Sequence, residues 1–169
     1  MPIIFFVLFL ISCNSLQNKE SVLLISFDGF RSDYLDWYDT PNMDSFINNG
    51  VKSEGLIPVF VSKTFPNYYR IKDALILADE SWYIKNQAIG NSTKPYANII
   101  NGGTHGYDNQ LKSMHALFIA KGPYFLSGAT IPPFENINIY PLICHILNIK
   151  PYNKFDGNLK NVQNTLIYI

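Results

Sequence analysis

Ser21-Val22-Leu23-Leu24-Ile25-Ser26-Phe27 carries no charge and is rich in β-formers, with Lys19-Glu20 before it and Asp28-Gly29 after it. A short apolar run closed by a turn pair predicts a strand buried on both faces, as in a parallel sheet covered by helices. The expected fold is therefore α/β, with a mostly parallel sheet and helices on both faces. Asp28 would stand at the carboxyl end of that strand, where open α/β sheets place their ligands. At 169 residues, 47% of them hydrophobic, the chain can build one packed domain.

Thirteen basic residues balance thirteen acidic ones, which removes the electrostatic case for a nucleic-acid polymer or an anionic membrane as partner. A small anionic substrate stays open, because a metal ion can supply local positive charge. Residues 2–11 hold no charged or polar side chain, and Ser12-Cys13-Asn14-Ser15 then turns polar. The run is far below the roughly 20 residues needed to span a bilayer. It reads as a secretory signal peptide over residues 1–15, leaving 16–169 as one domain of a secreted protein. The alternatives are a bacterial lipobox, Leu10-Ile11-Ser12-Cys13, with lipid anchoring at Cys13, and a buried N-terminal element. No second long apolar run follows, so no transmembrane anchor is expected. Asn91-Ser92-Thr93 is a glycosylation sequon at Asn91. Cleavage after Cys13 would leave Cys144 alone, as a buried thiol, one half of an intermolecular bridge, or a Cys whose partner has been lost.

Asp39-Thr40-Pro41-Asn42 predicts a helix start, with Thr40 as N-cap and Pro41 in the first turn. Met43, Phe46 and Ile47 share a face, and Asn49-Gly50 should close the helix in the left-handed conformation. A poorer strand region over 51–60 is interrupted by Pro58. Pro66 and Thr64 suit a loop that enters a helix, but Asp73-Ala74-Leu75-Ile76-Leu77-Ala78-Asp79 follows within a few residues and reads as another buried strand, continued by Glu80-Ser81-Trp82-Tyr83. Residues 86–101 read as a polar surface loop, Ala116-Leu117-Phe118-Ile119-Ala120 as a short strand, and 138–148 as an amphipathic helix. Beyond Pro151 the tail is polar and is expected to pack loosely.

Three short turns offer chemistry. Lys63-Thr64-Phe65-Pro66-Asn67 presents a hydroxyl beside a cation. A Thr hydroxyl becomes a useful nucleophile when a metal or a base lowers its pKa; the plain alternative is a helix cap. Asp28 before Gly29 can bind a hard or borderline cation, or simply make a turn. His105, between Gly103 and Gly106, suits zinc, or is a loop histidine without a role. His115 and His145 adjoin apolar segments and read as structural. Asp108 reads as a loop-holding carboxylate.

Taken together, Leu24-Ile25-Ser26-Phe27-Asp28-Gly29-Phe30-Arg31, Lys63-Thr64-Phe65-Pro66-Asn67 and Gly103-Thr104-His105-Gly106-Tyr107-Asp108-Asn109 resemble three signature blocks of the ectonucleotide pyrophosphatase/phosphodiesterase family, in the same order. Leu75-Ile76-Leu77-Ala78-Asp79-Glu80-Ser81-Trp82, Ala116-Leu117-Phe118-Ile119-Ala120-Lys121-Gly122-Pro123 and residues 140–151 resemble further blocks. The resemblance implies an alkaline-phosphatase-like α/β sandwich and two zinc ions. It also implies extracellular hydrolysis of phosphodiester or pyrophosphate bonds, in nucleotides or other small phosphodiesters. By the same resemblance Asp28 and Thr64 would bind one zinc, Thr64 would be the nucleophile, and His105 would bind the other zinc. The family pattern has a long segment between the Thr block and the Leu-Ala-Asp block. That segment carries an Asn near the phosphate, a Pro-Asp-x-x-Gly-His motif and an Asp-His pair. This chain passes from Tyr69 to Arg70 without them. The domain is therefore read as incomplete and its catalysis as impaired. The alternatives are a non-catalytic secreted binding module and a fragmentary gene or splice product.

Overall fold

Val51 is fully buried and sits at the centre of what the chain builds. The computed structural model describes residues 20–59, 77–82 and 106–167. Within them β1 (Val51–Ser53) is the middle strand of a three-stranded sheet. On one edge β3 (Ile119–Ala120) pairs antiparallel, Val51 facing Ala120. On the other, β4 (Ala129–Ile131) pairs parallel, Val51 facing Ala129. A second, two-stranded sheet joins β2 (Leu56–Ile57) in parallel to β5 (Phe134–Glu135). The described fold is thus mixed α/β, with both senses of pairing.

Two helices precede β1. The four-residue α1 (Tyr34–Trp37) is held through its side chains. The Phe30 and Tyr34 rings, and then Tyr34 and Trp37, lie 5.5 Å apart. The longer α2 (Pro41–Asn48) has Pro41 in its first turn and Thr40 at the N-cap. Thr40 does not make the capping hydrogen bond; its hydroxyl lies 3.3 Å from an Asp44 carboxylate oxygen instead. The expected left-handed close at Asn49-Gly50 is also not what forms, since Asn49 has φ −112°. Gly50 is required for a different reason. A Cβ there would collide with the carbonyl oxygen of Ala120 on the neighbouring strand. The expected face of Met43, Phe46 and Ile47 is shallow, for no residue of α2 is buried.

The core lies further along the chain. From α3 (Ile139–Ile146), Leu142 and Ile146 reach Val51, Ile131 and Phe134. Phe118 meets Phe134 edge-on at 4.8 Å. The same cluster takes in Val162 and Leu166, which corrects the expectation of a loose tail. Two short 3-10 turns, Leu159–Asn161 and Gln163–Thr165, carry these two side chains inward. Leu126 N–H donates to the Thr165 carbonyl at 2.9 Å and Ile167 N–H to the Tyr124 carbonyl at 2.9 Å, pinning the end of the tail. A mostly polar sequence docks through these two buried apolar anchors, with Leu159 packed beside them.

The opening strand is the larger correction. Residues 20–27 belong to no strand, and Leu23, Leu24 and Ile25 are 85%, 65% and 63% exposed. An apolar run becomes a buried strand only when neighbours supply hydrogen bonds along its edges and layers cover its faces. No other described residue does this for residues 20–27. The lower half of the next expected strand also departs from the reading. Asp79 and the residues after it make a turn, with Trp82 N–H donating to the Asp79 carbonyl at 2.9 Å and Ser81 at φ 73°.

Candidate functional site

Asp28 and Gly29 form a turn, and Gly29 adopts φ +69°, a conformation that side chains disfavour. Asp28 is exposed and makes no hydrogen bond or ion pair with another described residue. It stands after an unpaired segment, not at the end of a strand. Past it the chain becomes fixed. Arg31 grips Asp33 through two contacts, Nε to Oδ1 at 2.9 Å and Nη2 to Oδ2 at 2.6 Å. Its guanidinium also lies 4.8 Å from the centre of the Trp37 ring.

The backbone around Arg31 is tied to residues 115–117. Ser32 N–H donates to the His115 carbonyl at 3.0 Å, and Leu117 N–H to the Phe30 carbonyl at 3.2 Å. Ala116 also exchanges two hydrogen bonds with Leu56, at 2.8 and 2.9 Å. Ala116 therefore bridges both Arg31 and Leu56. One short segment joins the stretch that follows Asp28 to β2, which leads toward the Thr64 block.

Thr64 and His105 lie outside the described residues, as does Asn91. The chain is described up to Val59 before the Thr64 block and from Gly106 after His105. Asn109, the last residue of the histidine block, is buried, and its Nδ2 donates to the Pro58 carbonyl at 2.9 Å. Val59 N–H donates to Asn136 Oδ1 at 3.2 Å. Asp108 accepts from Gln110 N–H at 3.0 Å, the loop-holding role expected of it. The described flanks of the three sequence blocks thus gather around Ala116, Pro58 and Asn109. Sequence reasoning quoted Asn109 as part of a block but gave it no task. It gave none to Asn136, whose partner is 77 positions away. An Asn beside a Gly-rich turn is the signal that points to Asn109; for Asn136 there is no local signal.

Among the described residues no three His, Cys, Asp or Glu side chains gather to hold a metal ion. Of the three ligands the resemblance implies, Asp28 is the one described, and it is exposed. The described residues do not by themselves make a zinc site. His115 is buried, in keeping with a structural role. Cys144 is a buried free thiol.

These blocks are similar to those of a class of known proteins. Residues 22–71 match the family model for type I phosphodiesterase / nucleotide pyrophosphatase, a match that ends just past the junction of Tyr69 and Arg70. Ectonucleotide pyrophosphatase/phosphodiesterase family member 3 of Mus musculus is 40% identical over 101 residues, 59% of this chain and 11% of that protein. A venom phosphodiesterase of Naja atra is 38% identical over 106 residues, 62% of this chain and 12% of that protein. Venom phosphodiesterase 2 of Crotalus adamanteus is 33% identical over 125 residues, 69% of this chain and 15% of that protein. The solved structure of human ectonucleotide pyrophosphatase / phosphodiesterase 5 is 41% identical, covering 38% of this chain and 17% of that one, with a TM-score of 0.36. Over part of its length, then, this chain resembles the ectonucleotide pyrophosphatase/phosphodiesterase family, whose members are hydrolases by name. It spans a small fraction of the length of the curated relatives it matches.

Proposed function

We propose that this chain derives from an extracellular metal-dependent hydrolase of phosphodiester and pyrophosphate bonds in nucleotides, and that it holds the nucleophile-bearing part of that site. The observation that carries the reading is the presence, in family order, of the Asp28, Thr64 and His105 blocks. The described flanks of these blocks converge in space. In this reading the Thr64 hydroxyl attacks phosphorus, the ester oxygen leaves, and water later frees the phospho-threonine. Asp28 and Thr64 are assigned to one zinc and His105 to the other. The parent fold is the alkaline-phosphatase-like sandwich, reached through a signal peptide over 1–15 and a glycan at Asn91.

A catalytic zinc ordinarily takes about three protein ligands. Three residues shared between two ions fall short of that, so zinc binding is weak and turnover by this chain is slow or absent. The test is hydrolysis of a nitrophenyl phosphodiester of a nucleotide by the purified chain with zinc supplied. No turnover above background is expected; zinc-dependent turnover that vanishes in Thr64→Ala overturns the impaired-site reading.

The exposure of residues 20–27 favours a second reading, a non-catalytic secreted module or a fragmentary product. Long-read transcripts across the codons for Tyr69 and Arg70 separate these. Contiguous codons exclude an artefact of the gene model.

A further inference from the structure

His115 occupies the junction that ties the Asp28 segment to β2. Its ring is buried, at 7% exposure, and its Nε2 is shut from solvent without a hydrogen-bond partner. Gly55 makes room for it. A Cβ on Gly55 would lie 2.6 Å from Nδ1 and 2.9 Å from Cβ of His115. The His115 carbonyl takes the Ser32 N–H, and the next residue makes both bonds to Leu56. The buried ring and the bonds to both neighbouring segments therefore meet at residues 115 and 116.

We infer that His115 is a pH-operated latch, whose protonation opens the junction of Phe30, Ser32, Leu56 and Leu117 and frees the Asp28 segment. The reason is the cost of a buried cation. Protonation would put a charge where Nε2 has no acceptor, and a buried unpaired charge is relieved by opening the structure. The charged groups around it do not offset this. Lys112, on the same segment, repels the charged ring. Among the described residues, Glu54, next to Gly55, the Arg31–Asp33 pair and Asp108, next to Asn109, are charged groups on the segments packed against it; the pair is closed on itself at 2.6 Å and Asp108 accepts from Gln110 N–H at 3.0 Å.

Burial holds the imidazole below its ordinary pKa, Lys112 pushes the same way, and a hydrogen bond to the Asn109 backbone partly opposes them. A group whose folded pKa is depressed in this way favours the closed junction while neutral. The junction is at full strength above the ordinary histidine value of about 6.5, and weakens as pH falls from there through the folded value.

The latch does not rest on the hydrolase reading and is tested without turnover. NMR on the full chain from pH 8 to pH 5 follows the His115 ring and the exchange protection of the Ser32 and Leu117 amides, corrected for intrinsic rates. Protection at both is expected to fall roughly tenfold for each unit of pH below the ordinary pKa, and to level off below the pH at which the native ring takes its proton. The Leu126 amide, bonded to Thr165 in the tail, should not follow. His115→Gln, which cannot take the proton, should flatten the response. A His115 ring that titrates at its ordinary value overturns the latch. So does protection that stays level between the ordinary pKa and the ring's own titration, or an unchanged pH response in His115→Gln. If His115→Gln does not fold, the native titration decides alone.

Discussion

Single residues in this chain are constrained by neighbours far away in sequence. Gly55 is held to glycine by the His115 ring, and Gly55→Ala should cost about 1–3 kcal/mol through overpacking, read as a lower urea midpoint with an unchanged slope. Asn138 is 1% exposed; its Oδ1 accepts from Asn158 N–H at 2.7 Å and its Nδ2 donates to the Glu135 carbonyl at 2.9 Å. Asn138→Ala leaves those groups unpaired and should cost about 1–3 kcal/mol for each one that stays buried, measured the same way. The structural assignment of His115 was legible because an apolar segment follows it. The roles of Gly55, Asn136 and Asn138 were not, since each is set by a partner that only the fold brings close. The loop-holding role of Asp108 was legible because an Asx turn is made within two residues.

At the level of elements, legibility tracked how much of each element's partner lies nearby. The helices α2 and α3 were visible from a cap position, a first-turn Pro and 3.6-residue spacing. The run 21–27 was read as a buried strand from composition alone, and composition says what a segment suits, not whether its neighbours exist. The structure separates these two cases sharply, and so do substitutions. Leu142 in α3 is 2% exposed, so Leu142→Ala should cost about 2–5 kcal/mol. Ile25 is 63% exposed, so Ile25→Ser should change stability by no more than about 0.5 kcal/mol. A loss at Ile25 as large as that at Leu142 would restore the buried strand.

For the whole molecule, the class of its relatives was legible in three short blocks because such blocks carry both chemistry and order. The packing of the tail was not, because two apolar anchors in a polar stretch give no period to detect. The site itself is legible only as a set of parts. Thr64 and His105 are known from sequence, Asp28 is exposed, and the described flanks meet around Ala116. In the proposed reading this pattern joins a Thr64 nucleophile to too few metal ligands. The measurement that bears most directly on it is zinc-dependent release of nitrophenol from a nucleotide phosphodiester, comparing the purified chain with Thr64→Ala. Equal, background-level rates are predicted for the two proteins at every zinc concentration. Turnover that rises with zinc in the native chain and is lost in Thr64→Ala would contradict the account.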